Sequence, residues 1–337
     1  MKTYNAKEFL MQRVKANKPI LAYDEKLDHD VWKSQAEEKL KELLGLPLTK
    51  CEDCFEITEQ RVMADCERIE FEFQSEEGYW IPCTMLKPLG QTKPLPTVIC
   101  LQGHSTGKHV SLGEYIYEGD ETPPGMDHAR LAVKAGYCAV AMDQRYMGKT
   151  EQDAKGNPGC ITYNTALMAA MMGRTAIGER VWDVQRLIDV LETYMTDVVN
   201  KDRIVCLGGS GGGTATFYAA ALEKRIYMAV PYCAVCTYEE SIMAMMHCSC
   251  NHVPGIRLYF EMGDIGCLIA PRKLLIVNGD QDPIFPIEGA KASYEVIKKA
   301  YQKLGSEENC RMEIGHGRHQ PYPDIIWSIV SREVRIV

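Results

Sequence analysis

Apolar and polar residues alternate along this chain in two rhythms, and the change from one to the other marks out its elements. Residues 68–74 put Ile69, Phe71 and Phe73 on one side, the period of two expected of a half-exposed strand. After Gly78, residues 79–86 return as its hairpin partner. Shorter apolar runs at 97–101, 137–142, 204–207, 227–232, 273–277 and 310–314 predict further strands. The continuous ones, such as Thr97-Val98-Ile99-Cys100-Leu101, have the composition of strands covered on both faces. Between them the period lengthens. Val184, Ile188, Leu191 and Met195 mark one face of a helix, and 127–135 (closed by Gly136), 166–172, 214–221, 287–304 and 324–334 predict others. Near the start, Trp32, Ala36, Leu40 and Leu43-Leu44 recur at helical spacing until Gly45 and Pro47 supply a stop.

Strands alternating with helices after an opening hairpin predict one doubly wound α/β domain with a mostly parallel sheet. Residues 1–50 read as a helical extension packed on a main domain of residues 51–337. Residues 148–180 read as an insertion. Residues 233–270 show no clean period and are expected to form loops and short helices over the site. No internal repeat or linker-like stretch interrupts the chain.

Composition changes this picture little. The 337 residues are 46% hydrophobic and 25% charged, ordinary for a globular protein with one large core. A net charge of −8 argues against nucleic acid or an anionic membrane surface as partner. The N-terminus has no apolar segment of the secretory kind, and no stretch approaches a membrane span, so a cytoplasmic protein is expected. A homo-oligomer is compatible with all of this. Fourteen cysteines then read as reduced thiols. Cys51-x-x-Cys54 has metal or redox spacing but no second pair at a finger-like distance. Cys233-x-x-Cys236, followed by His247, Cys248, Cys250 and His252, is richer in ligand atoms, yet small apolar fillers beyond a core strand are the better reading. No metal is expected.

The chemistry concentrates at Gly208-Gly209-Ser210-Gly211-Gly212, where the strand at 204–207 stops and a helix follows. Gly-x-Ser-x-Gly in that context is a nucleophile elbow. A serine on so sharp a turn crowds its neighbours' backbones, and a Cβ two residues away on either side would clash. Downstream strand ends carry an acid and then a histidine. Asp280 and Asp282 follow the strand at 273–277, and His316 and His319 follow the last one. The order Ser, Asp, His is that of the α/β-hydrolases. Asp282, followed by Pro283 and a return to apolar residues, is the better placed acid, since its side chain can turn inward; residue chemistry leaves the two histidines open. An oxyanion hole needs two amides. Gly211 follows the nucleophile, and His104 lies in the glycine-bearing turn Gln102-Gly103-His104, which leaves its imidazole to packing or pocket lining. Asp143-Gln144-Arg145 reads as a loop salt bridge.

Taken together these residues resemble the α/β-hydrolase superfamily, and more narrowly the acetyl-xylan-esterase and dienelactone-hydrolase-like esterases. The resemblance runs from about Trp32 onward. It includes Leu43-Leu44-Gly45-Leu46-Pro47, Leu101-Gln102-Gly103-His104, Gly178-Glu179-Arg180-Val181-Trp182-Asp183, Gly209-Ser210-Gly211-Gly212-Gly213 and the loop from Gly317 into Trp327. It implies an α/β-hydrolase fold with Ser210, Asp282 and His319 as the triad, His319 occupying the place before the tyrosine-bearing turn. It also implies hydrolysis of a small acyl ester, such as acetyl on a sugar, through an acyl-enzyme and without a cofactor. Arg318 stands where a glycine is usual, and Gln102 where a histidine often precedes the oxyanion glycine. Peptidase, thioesterase or lactonase chemistry would use the same machinery, and a non-catalytic scaffold is the alternative of another class.

Overall fold

The chain builds one sheet of nine strands, described here from a computed structural model covering residues 3–117, 123–152, 158–159 and 163–336. In chain order the elements begin with helices α1 (Ala6–Ala16) and α2 (His29–Leu44), then strands β1 (Phe55–Val62), β2 (Cys66–Glu76), β3 (Tyr79–Pro88) and β4 (Leu95–Leu101). Helix α3 (His128–Lys134), strand β5 (Cys138–Met142), a ribbon of β6 (Gly148–Gln152) and β7 (Pro158–Gly159), and helices α4 (Tyr163–Met171) and α5 (Ala176–Tyr194) follow. Next come β8 (Val199–Gly209), α6 (Gly211–Leu222), β9 (Ile226–Tyr232), α7 (Ile256–Tyr259) and α8 (Met262–Cys267). The chain finishes with β10 (Lys273–Gly279), α9 (Ile287–Lys303), β11 (Cys310–Gly315) and α10 (Pro323–Glu333).

The sheet runs β1-β2-β3-β5-β4-β8-β9-β10-β11. From β5 to β11 every pair is parallel, and β1, β2 and β3 join as an antiparallel meander at one edge. The chain goes outward from β4 to β5 and then returns to the other side of β4 with β8. The crevice beyond the carboxyl ends of β4 and β8 is therefore the topological switch point, where open α/β sheets bind ligands.

The parallel strands read as continuous apolar runs because helices cover both faces. On β4, Ile99 and Leu101 enter the core beneath α2, α5, α6, α8 and α9, while Val98 and Cys100 enter the opposite core beneath α3 and α10. Ile204 and Cys206 against Val205 and Leu207, and Leu274 and Ile276 against Leu275 and Val277, divide in the same way. In α2 the predicted stripe of Trp32, Ala36, Leu40 and Leu44 is buried in the larger core, with Asp28 capping the helix through Val31 N at 3.0 Å and Gly45 ending it. Helix α1 has no buried residue.

Three elements differ from the expectation. The hairpin is preceded by β1, an edge strand with almost every residue exposed; its polar sequence hides the period of two. Helix α5 starts at Ala176, inside the stretch read as an insertion. Thr175 caps it by accepting from Gly178 N at 3.0 Å, and the first turn buries Glu179 and Arg180, so charge masks the apolar face. Of residues 233–270, His247 and Cys250 border the site, but α8 packs between α6 and α9, with Ile265 and Leu268 fully buried in the core. No helix among the described residues is long and apolar enough to cross a membrane.

Candidate active site

Ser210 is the single residue between the end of β8 and the start of α6, at φ 51° and ψ −122°. A side chain in that region costs about 1–3 kcal/mol and persists only where its surroundings impose it. They do so here. Ser210 N donates to the Tyr232 carbonyl at 3.1 Å, and the Ser210 carbonyl accepts from Thr214 N at 2.8 Å. Gly208 and Gly212 allow the turn to close: a Cβ on Gly208 would lie 2.5 Å from the Gly212 carbonyl oxygen, and one on Gly212 would lie 2.1 Å from that of Leu101. Both clashes are with backbone, which cannot swing aside. The first amides of α6 face the serine with the positive end of the helix dipole.

The loop after β4 crosses this turn closely. A Cβ on Gly103 would meet Ser210 Cβ at 3.4 Å, and the His104 ring rests against Gly211. A cavity of about 210 Å³ lies at this point, lined by Gly103, His104, Ser210, Tyr232 and His319 among others. The residues expected of the nucleophile, the oxyanion loop and one histidine thus share one cavity at the switch point.

Two acid–histidine pairs form side by side from the loops after β10 and β11. His319 Nδ1 donates to Asp282 Oδ2 at 2.8 Å, and the Asp282 side chain is fully buried. Asp282 Oδ1 accepts from Ile284 N at 2.8 Å and Phe285 N at 3.1 Å, and the Phe285 ring stacks on His319 at 5.9 Å. The other pair, His316 Nδ1 to Asp280 Oδ2 at 2.9 Å, faces outward, with the His316 side chain 87% exposed. The spacing of two along one loop and three along the other brings both pairs into register, but only His319 reaches the cavity.

Burial alone would push the Asp282 carboxyl up. The hydrogen bond and charge of His319, with the amides of Phe285 and Ile284, outweigh it and hold Asp282 below the ordinary carboxylate range. An acid whose folded value lies below its unfolded one stabilises the fold above the unfolded value and loses that contribution as pH falls through the folded value. The stability gap between the wild type and Asp282→Asn should therefore be open at pH 7 and close as pH drops below about 4. Urea unfolding at a series of pH values measures it, and a gap independent of pH would contradict the assignment.

Sequence reasoning passed over Tyr232 and His128. Tyr232 ends β9 beside the elbow, and its ring occupies the space a Cβ on Gly209 would need. Its hydroxyl pairs with His128 Nε2 at 2.8 Å, and burial pushes the His128 imidazole down to about 4. The available signal was Tyr232's place at the carboxyl end of the strand next to β8. Arg145, read as a loop salt bridge, is one: it is buried, with Nε 2.9 Å from Asp183 and Nη1 2.6 Å from Glu76.

Three of the cysteines read as candidate ligands bond to separate backbone carbonyls. Cys51 Sγ donates to the Gln74 carbonyl at 3.6 Å, Cys233 Sγ to the Gln320 carbonyl at 3.4 Å, and Cys236 Sγ to the Pro286 carbonyl at 3.5 Å. Among the described residues, the group of three metal-type ligand atoms within 4.8 Å of one another is Cys233, Asp282 and His319, which is the buried acid–histidine pair with a neighbouring thiol.

Known proteins share this fold. A model described as "Abhydrolase family" matches residues 3–323. YtaP of Bacillus subtilis (strain 168), assigned as a hydrolase, is 25% identical over 236 residues, covering 68% of this chain and 75% of that protein. A Bacteroides fragilis NCTC 9343 structure assigned as an acetyl xylan esterase superposes with a TM-score of 0.78 at 18% identity, covering 96% of this chain and 85% of that one. A glucuronoyl esterase from Solibacter usitatus superposes with a TM-score of 0.70 at 14% identity, covering 94% and 97%. At these identities the structural likeness speaks to the fold.

Proposed function

Since the chain belongs to the Abhydrolase family, matched over residues 3–323, we propose that it is a serine carboxylic-ester hydrolase acting through an acyl-enzyme. His319 takes the proton of Ser210, whose oxygen attacks the ester carbonyl. The oxyanion accepts from the backbone amides of Gly211 and His104, and His319 then protonates the leaving alcohol. Asp282 fixes the imidazole tautomer and stabilises the imidazolium. A water molecule, activated by the same histidine, releases the acid. The scheme calls for no metal or organic cofactor. Residues 51–337 form the hydrolase domain in this reading, and residues 1–50 are a helical extension whose second helix enters its core.

The observation that carries the reading is the 2.8 Å bond between His319 Nδ1 and the buried Asp282, on a histidine lining the same cavity as the strained Ser210. A cavity of about 210 Å³ suits a small acyl group. Neighbours named as an acetyl xylan esterase and a glucuronoyl esterase favour a carbohydrate ester as substrate. The test is a fluorophosphonate probe followed by peptide mapping, together with a screen of acetylated oligosaccharides against longer-chain aryl esters. Labelling at Ser210 and preference for acetyl esters are expected. A folded protein that stays unlabelled would point to a binding scaffold instead.

A further inference from the structure

The imidazole of His104 has no task in the scheme above, yet it is held closely. A Cβ on Gly211 would lie 2.6 Å from its Cε1 and 2.8 Å from its Nδ1, so the ring rests on the residue after the nucleophile. Its Nε2 is 2.8 Å from Cys250 Sγ. Cys250 is buried, and behind it stands Arg180, wholly buried on α5, with Nη1 3.6 Å from the sulfur and Nε bound to the Arg145 carbonyl at 3.0 Å. A chain of contacts thus runs from α5 through a thiol to a ring lining the Ser210 cavity.

The number of protons on the Cys250–His104 pair decides what Nδ1 can do. A thiol that donates to Nε2 leaves the single proton of neutral imidazole on Nδ1. Moving the shared proton to Nε2 gives thiolate and imidazolium, again with a proton on Nδ1. Either way Nδ1 is a donor, and it has no hydrogen-bond partner among the described residues. Loss of a proton from the pair, or a thiol that accepts from Nε2–H, turns Nδ1 into an acceptor.

We propose that the His104 imidazole is a third donor to the oxyanion, beside the amides of His104 and Gly211, and that Cys250 is the positioning residue that keeps a proton on its Nδ1. The proposal rests on the serine-esterase reading. A hydrogen bond from the Cys248 side chain, opposed by burial and reinforced by the Arg180 charge and by His104, holds the Cys250 thiol well below its ordinary range. The other titratable groups facing the ring are His247 and, across the cavity, His319. No bond forms or breaks at His104; it acts by hydrogen bonding to charge that develops in the transition state.

Turnover of p-nitrophenyl acetate by His104→Ala, His104→Gln, Cys250→Ala and Cys250→Ser tests this. His104→Ala should lower kcat by about 10²- to 10³-fold with KM little changed. His104→Gln, which keeps a side-chain donor, should retain more activity. Cys250→Ala should lower kcat severalfold, and Cys250→Ser, whose hydroxyl can donate to Nε2, should recover most of that loss. Both Cys250 variants should lack the alkaline fall of kcat that deprotonation of the pair produces, a change that a packing role would not cause. A His104→Ala enzyme with wild-type kcat, or an alkaline limb unaltered in both Cys250 variants, would overturn the proposal while Ser210 remains reactive. If His104→Ala does not fold, His104→Gln and the Cys250 variants decide. A wild-type protein inert to both ester and fluorophosphonate would instead overturn the esterase reading, and this inference with it.

Discussion

Ser210→Ala is expected to lower kcat for an aryl acetate by about 10⁴- to 10⁶-fold while leaving the unfolding midpoint within a few degrees of the wild type. His319→Ala should be nearly as severe. The nucleophile and its base act as a unit, and either loss leaves only the oxyanion donors and substrate binding to lower the barrier. His316→Ala should stay within about fivefold of the wild type, because its pairing with Asp280 is solvent-exposed and of small energetic weight. Steady-state kinetics on the three purified variants decides the matter. Full activity in His319→Ala with loss in His316→Ala would reassign the base, and full activity in Ser210→Ala would end the acyl-enzyme reading.

Arg145→Met should cost about 3–5 kcal/mol of stability, read from urea unfolding. Arg145, only 5% exposed, bridges Asp183 and Glu76, and its guanidinium lies 3.8 Å from Glu179. It also stacks over the Tyr79 ring at 4.3 Å. Burial already pushes the Glu179 carboxyl up to about 7, against the pull of Arg145. Without the arginine, Asp183 would remain buried with its cation gone, Glu179 would keep only its ion pair with Arg174, and both would take up protons more readily. Arg145→Lys should recover only part of the loss, since a single ammonium cannot hold several carboxylates in the planar fork geometry. An Arg145→Met protein as stable as the wild type would mean that these charges are solvated.

Glu179 and Asp183 on α5, Glu76 on β2 and Arg145 after β5 come from distant parts of the chain. Nothing local announces that they meet. For the same reason the start of α5 was misplaced: Glu179 and Arg180 look like surface residues until their partners are known. The edge strand β1 was missed because a strand exposed on both sides carries no alternation to read. The stripe of α2, in contrast, was legible because one face enters the core at a fixed helical period.

Local patterns are enough for most strands and helices, the turn at Ser210 and the acids and histidines downstream of it. Each of these is set within a few residues, by periodicity, by backbone crowding at Gly208 and Gly212, or by position at a strand end. Residue chemistry favours Asp282 as the acid and leaves the histidines open; packing is what turns one acid–histidine pair inward and the other out. Asp280 with His316 and Asp282 with His319 have the same chemistry and nearly the same spacing. What separates them is the packing of Phe285 and the amides of residues 284 and 285 around one carboxylate. The contact of Cys250 with His104 likewise spans 146 residues and exists only once the segment between β9 and α7 meets the loop after β4. Local patterns record what each segment prefers by itself, whereas the pairing of charges depends on which segments share a low-dielectric interior, and that is a property of the assembled sheet.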